Sequence, residues 1–191
     1  MADDVTTKIA KASLRGLREP RGPVSGVVLA GGRGSRMGAF KPLLAWRGRT
    51  LLSYSLAALA PHCHEILIMA GPRAAEVSRQ AEGARVLADP GDGPPVALRL
   101  AAQAARFDIV LVAPADAPFL RASTYAPLLA AGPDARFALD GVADPLVACY
   151  ARKTLRAFRG RSLREIAARD VDAGALAGEL RDVDEPGDLA G

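Results

Sequence analysis

Residues 26–41 read Gly26-Val27-Val28-Leu29-Ala30-Gly31-Gly32-Arg33-Gly34-Ser35-Arg36-Met37-Gly38-Ala39-Phe40-Lys41. The first five form a short apolar run of the kind buried strands are made from, and four glycines follow in the next eight residues. A glycine-rich turn at the carboxyl end of a strand lets the backbone approach a ligand closely, and its successive N–H groups form an anion nest. Arg33, Arg36 and Lys41 add three cations within nine residues. The expected guest is a phosphate chain.

Spacing excludes two familiar phosphate loops. A Walker loop needs Gly-Lys followed by Ser or Thr, whereas Lys41 lies between Phe40 and Pro42. A dinucleotide fingerprint needs GxGxxG, yet Gly32 and Gly34 are followed by Met37, with Gly38 one residue late. It also needs an acidic residue ending the second strand, and residues 66–72 contain none. Hydride transfer from a nicotinamide is therefore not expected.

Outward from the loop, short apolar runs alternate with helical patterns. Strands are expected at 26–30, 66–70, 85–88 and 109–113, and helices at 51–59, 74–81, 96–105 and 124–131. This cadence predicts a mostly parallel sheet with helices on both faces, an α/β Rossmann-like three-layer sandwich whose ligands lie beyond the carboxyl ends of its strands. After Gly132 the pattern changes. Strands at 137–139 and 146–150 are joined by residues 140–145, too short for a parallel crossover, which predicts an antiparallel insertion toward the C-terminus. Helices at 151–158 and 162–168 and a last strand near 179–183 complete the expectation. Residues 1–23 mix both charges with a poor apolar stripe and read as a flexible arm before a single domain at 24–191.

The 191 residues (19.9 kDa) are 50% hydrophobic and 24% charged, which excludes disorder and fibrous repeats. Alanine occurs 39 times while aromatics are 5%, so the core must be built from Ala, Leu, Val and Ile. Two cysteines are too few for a disulfide scaffold at this length, and no CxxC pair offers a zinc site. Without an apolar run of signal-peptide or membrane-spanning length, the expectation is a soluble, cytoplasmic protein. The net charge of +4 allows nucleic acid, an anionic membrane or a phosphorylated small molecule as partner and does not choose among them.

The order Leu29-Ala30-Gly31-Gly32, then Arg36-Met37-Gly38 and Lys41, resembles the signature of small-molecule nucleotidyltransferases of the nucleotide-diphospho-sugar-transferase fold type, most closely the molybdenum cofactor guanylyltransferases. The resemblance covers residues 24–190. It implies that Leu29, Ala30, Gly31, Gly32, Arg33 and Gly34 bind GTP and that Arg36 and Lys41 steady the phosphates. Phe40 stands where the family often has Asp.

Such transfer needs a divalent ion to neutralise two anions meeting in line. Asp116, in Pro114-Ala115-Asp116-Ala117-Pro118-Phe119-Leu120, is similar to the family's metal-binding Asp in PxDxPFL, although an Asp before Ala-Pro can also simply cap a turn. By the same resemblance Asp89, Gly93 and Pro94 lie beside the base and ribose. Asp184, in Asp182-Val183-Asp184-Glu185-Pro186-Gly187-Asp188-Leu189, completes the Mg2+ site or else caps a helix. Asp144-Pro145 replaces a His-Pro element that, with Arg161 and Arg164, faces the acceptor in the family. Exposed helix charges are the plainer reading of the two arginines. Pro61-His62-Cys63-His64-Glu65 reads as a loop entering a strand rather than a metal cluster.

The expected reaction is GMP transfer from GTP to the phosphate of a molybdopterin-type cofactor, releasing pyrophosphate. Mg2+ is the expected metal, and transient contacts with cofactor-biosynthesis proteins or recipient enzymes are the expected protein partners. No nucleic acid or membrane partner is expected. Cytidylyl transfer to the pterin and guanylyl transfer to a cobinamide phosphate remain alternatives of the same chemistry. A basic nucleic-acid module is the alternative of another class, and it calls for aromatic rings among the cations.

Overall fold

A computed structural model describes residues 22–31, 40–81 and 83–183. Seven strands form one sheet: β1 (Val24–Ala30), β4 (Glu65–Ala70), β5 (Arg85–Ala88), β6 (Ile109–Pro114), β7 (Ala135–Leu139), β8 (Val142–Ala151) and β9 (Arg169–Asp172). Their order is β5-β4-β1-β6-β8-β7-β9. All neighbours are parallel except β8, which runs antiparallel to both β6 and β7. The chain winds outward from β1 to β5 and then returns to place β6 on the other side of β1. The gap between β1 and β6 is therefore a topological switch point, where open α/β sheets form ligand crevices.

Helices cover both faces. On one lie α1 (Leu51–Leu59), α2 (Ala74–Gln80) and α4 (Ala126–Ala131), through Leu52, Leu59, Val77 and Leu128. On the other lie α3 (Pro94–Ala104) and α5 (Arg152–Ala157), through Leu98, Ala101 and Leu155. Within β1, Val28 joins the first core and Val27 the second, so the alternation of strand side chains divides the apolar residues between two layers. Each fully buried Leu or Val contributes roughly 1.5–3 kcal/mol. The alanines of α3 let that helix pack closely on the sheet.

At the edge opposite the carboxyl ends, Glu65 fastens three strands. Its side chain accepts from the Ser25 hydroxyl at 2.7 Å and from the Arg106 N–H at 2.6 Å, with Arg85 and Arg106 beside it. Burial pushes the Glu65 carboxyl up, but these N–H and O–H donors and the two arginine charges outweigh burial and hold it below its ordinary 4.5. The stability this supplies is present above the ordinary value and is lost as pH falls through the lowered one. Thermal unfolding followed against pH is expected to show a fall in Tm below pH 4.5, less steep in Glu65→Gln. Parallel curves for the two proteins would refute it.

The C-terminal third departs from expectation. The helix expected at 162–168 is a single 3-10 turn, Leu163–Glu165, capped reciprocally by Ser162 and Glu165. It stops because Ile166 enters the core and because the buried Arg136 guanidinium donates to the carbonyls of Arg164 and Ile166, at 3.0 and 3.3 Å. No strand lies at 179–183. Among the described residues the last strand is β9, and Gly174–Leu180 is a 3-10 helix. The expected helix at 124–131 begins as a 3-10 turn, Ala122–Tyr125, because Pro127 offers no N–H to an α-turn ahead of it.

A small hairpin, β2 (Ala45–Trp46) with β3 (Arg49–Thr50), also escaped the reading of the sequence. The connection expected at 140–145 shrinks to Asp140 and Gly141, both at positive φ, as a two-residue hairpin turn requires. Of the arm expected at 1–23, residues 1–21 lie outside the described residues.

Candidate active site

The carboxyl ends of β1, β5 and β6 converge at the switch point. Leu29 and Ala30 are the last residues of β1; Leu29 pairs with Met69 and Pro114, and its carbonyl accepts from Ala115 N–H at 3.1 Å. Gly31 follows and lies directly against Asp89. A Cβ built on Gly31 would sit 1.7 Å from Asp89 Oδ2, so only glycine permits this approach. Asp89 is itself fixed, donating its N–H to Ala70 O at 2.8 Å and accepting from Gly91 N–H through Oδ1 at 2.9 Å. Gly93, at φ 91°, ends this loop and starts α3, with Pro94 at the first helical position.

Lys41 opens a 3-10 turn, Lys41–Leu43, and its Nζ stands 3.8 Å from Asp116 Oδ2. Both side chains are mostly covered. Asp116 follows β6, whose end is supported from below: Ser55 Oγ donates to Pro114 O at 2.7 Å and the Tyr125 hydroxyl to Val112 O at 3.1 Å. From the C-terminal side, Val183 N–H donates to Asp116 O at 3.0 Å. Glu179 accepts from the Thr124 hydroxyl and anchors this final segment.

An aromatic brace ties these pieces together. Trp46 meets Phe119 edge-on at 5.4 Å and Tyr54 at 5.2 Å, and the Tyr54 hydroxyl donates to Trp46 O. Arg47, Arg49 and Arg181 cover the faces of Trp46, Tyr54 and Phe119. Only Trp46 among these rings is near the glycine loop in sequence, so folding alone reveals the brace.

A pocket of about 720 Å³ opens at Asp182, one residue before the Val183 that donates to Asp116. Its walls are Pro94 and Pro95 at the start of α3, the β7–β8 hairpin tip from Leu139 to Leu146, the 161–164 turn and Asp182. Asp182 precedes the residue bonded to Asp116, and Pro94 follows Gly93, so the pocket borders both the Asp116 and the Asp89 sides of the crevice. Arg161 and Arg164 line it; both are exposed, as the plainer reading expected, with Arg164 in the 3-10 turn and Arg161 ahead of it.

Gly32, Arg33, Gly34, Arg36 and Asp184 lie outside the described residues. Among the described residues no group of three or more His, Cys, Asp or Glu is placed to hold a metal. The His62–His64 segment is a loop, as expected: His62 Nε2 bonds to Ala122 O, His64 Nδ1 accepts from Val24 N–H, and burial pushes the Cys63 thiol up to about 12. Among the described residues no helix is long and apolar enough to cross a membrane.

The MobA-like NTP transferase domain matches residues 26–180. The chain is 37% identical over 171 residues to a molybdenum cofactor guanylyltransferase of Burkholderia ambifaria, covering 85% of this chain and 80% of that protein. It is 33% identical over 140 residues to a probable molybdenum cofactor guanylyltransferase of Halalkalibacterium halodurans, covering 68% and 71%. In fold it is similar to a nucleotidyl transferase from Methanothermobacter thermautotroptrophicus, with a TM-score of 0.72, 24% identity, and coverage of 88% and 94%.

Proposed function

Since the chain belongs to the MobA-like NTP transferase family, we infer that it transfers GMP from GTP to the phosphate of a molybdopterin-type cofactor, yielding the guanine dinucleotide and pyrophosphate. The observation that carries this reading is the pairing of Lys41 with Asp116 across the switch point, with Gly31 against Asp89 on one side and the 720 Å³ pocket on the other. In this reading the triphosphate lies at the centre of the crevice, the base at the Asp89 end and the acceptor at the pocket end.

The acceptor's phosphate oxygen attacks the α-phosphorus in line. The new P–O bond forms as the bond to the β-phosphate oxygen breaks, and pyrophosphate leaves with that electron pair. Lys41 brings its ammonium to the α-phosphate, where negative charge accumulates. Arg36 and Arg33, with the N–H groups of Gly31, Gly32 and Gly34, are proposed to hold the β- and γ-phosphates. Asp89 and Gly93 are proposed to take the ribose and base end, and Leu29 and Ala30 to form the floor beneath it. No side chain acts as a covalent nucleophile in this scheme.

Asp116 fits a hard divalent ion. Its carboxylate follows a strand end and already faces a cation, and Mg2+ binds through one or two carboxylates with water and phosphate oxygens filling the remaining positions. When bound there, Mg2+ would neutralise charge shared by the α-phosphate and the departing pyrophosphate. Asp184, next after Val183 in sequence, is the proposed second carboxylate. Arg161 supplies positive charge for an anionic acceptor. A reducing cytoplasm is the proposed setting, in keeping with the free thiols Cys63 and Cys149. Cofactor-biosynthesis proteins and recipient enzymes are the proposed transient partners.

Pyrophosphate release, measured with GTP, CTP and ATP against a molybdopterin acceptor and a cobinamide phosphate, tests this. Release is expected with GTP and the pterin. Turnover with CTP but not GTP would overturn the nucleotide assignment, and turnover with cobinamide phosphate alone would overturn the acceptor.

A further inference from the structure

Two charged groups that line the pocket are bonded to neighbouring backbone. Asp144 sits in β8 opposite Phe137, and its Oδ1 accepts from Leu146 N–H at 2.9 Å, a local turn that fixes the plane of the carboxylate. Burial pushes its carboxyl up, against the pull of the Leu146 and Val147 N–H groups and the Arg164 charge. A carboxylate has roughly four lone-pair positions, so these two bonds leave acceptor capacity for a guest.

Arg164 rests on a fixed base. The Arg136 guanidinium holds its carbonyl at 3.0 Å, and its own Nε donates to Ala143 O at 3.4 Å, beside Asp144. The pocket thus presents a mostly covered carboxylate and an exposed guanidinium next to each other, each bonded to backbone.

That order has a complement. The pyrimidinone ring of a pterin shows, along one edge, a 2-amino N–H, a ring N–H and a 4-oxo oxygen: donor, donor, acceptor. We propose that Asp144 accepts the two N–H groups and Arg164 donates to the oxo oxygen, so that this pair selects a 2-amino-4-oxopyrimidine edge in the acceptor and orients it in the pocket. The proposal rests on the pterin reading of the acceptor given above. Guanine has the same edge, but the base of GTP is assigned to the Asp89 end of the crevice, with Pro94 between the two. Side-by-side charge-assisted bonds are the strong, geometrically selective kind.

The test uses the whole protein and the intrinsic fluorescence of pteridines. 6-Hydroxymethylpterin is titrated against the matching lumazine, whose oxo group replaces the 2-amino group, and GTP affinity is measured separately. Wild type is expected to prefer the pterin by about tenfold or more, by analogy with bidentate edge recognition elsewhere. Asp144→Asn keeps an oxygen for Leu146 N–H while offering an NH2, and it is expected to abolish or reverse that preference with GTP affinity unchanged. Arg164→Met is expected to weaken both pteridines. An unchanged pterin-to-lumazine ratio in Asp144→Asn would overturn the proposal and leave the acceptor reading standing. A loss of GTP affinity instead would assign the edge to guanine and also overturn it. If wild type binds neither pteridine, the acceptor reading itself fails and the proposal with it.

Discussion

Asp116→Asn is expected to lower kcat for pyrophosphate release about a thousandfold, some 4 kcal/mol of transition-state stabilisation. Asparagine is isosteric and leaves the backbone carbonyl in place, so the bond from Val183 N–H survives and the fold with it. What disappears is the negative charge facing Lys41 at 3.8 Å. The site then keeps only a neutral amide oxygen where an anionic donor is proposed for Mg2+. The loss is expected in kcat with GTP affinity changing far less, because the carboxylate acts on charge that develops during transfer. A steady-state comparison at saturating GTP and Mg2+ measures it. A variant within about tenfold of wild type would remove Asp116 from the metal site.

The second large effect is expected from one methyl group. Gly31→Ala places a Cβ at 1.7 Å from Asp89 Oδ2, well inside contact distance, so one of the two must move. Asp89 is tied at both ends, to Ala70 and to Gly91, and its displacement carries the loop leading to Gly93 with it. Displacements of about an ångström at a reacting centre cost on the order of a hundredfold, and that is the expected rise in KM for GTP. Asp89→Gly in the same chain relieves the clash. Expected, then, is recovery of the β1 end's geometry in the double variant without recovery of base or ribose binding, read as restored Tm with KM still high. Ordinary GTP binding by Gly31→Ala would show that the Asp89 side holds no part of the nucleotide.

The parallel half of the sheet was legible in the sequence. Strand β5 and helix α1 match their expected bounds, and β1, β4 and β6 extend theirs by one or two residues, because doubly covered strands are uninterrupted apolar runs. Strand β9 was not legible. Three of its four residues are charged, and it lies at the sheet edge, where hydrogen bonds to β7 form without an apolar face to announce them. The 162–168 segment carries a genuine helix-start signal in Ser162 and Glu165. Tertiary demands from Ile166 and Arg136 ended it after one turn.

At the site, Lys41 and Asp116 were chosen by motif, and the structure brings them within ion-pair distance across 75 positions of chain. For the pocket, resemblance had singled out Asp144-Pro145, Arg161 and Arg164, but that the hairpin tip, the capped turn and Asp182 wall one cavity emerges only on folding. The Asp140-Gly141 pair was the available signal: such dipeptides favour tight hairpins, and that hairpin places Asp144 at the pocket.

The reversed direction of β8 has an evolutionary consequence. Six strands present their carboxyl ends to the crevice, but β8 presents its beginning, so the hairpin from Leu139 to Leu146 reaches the same edge from the opposite polarity. In the proposed assignment the nucleotide end draws on β1, β5 and β6, and the acceptor end on this hairpin and the turn near Arg161. The two recognition tasks are thus written in separable stretches of chain. A lineage can revise the identity of the acceptor by editing a hairpin tip while the machinery for the triphosphate is inherited unchanged.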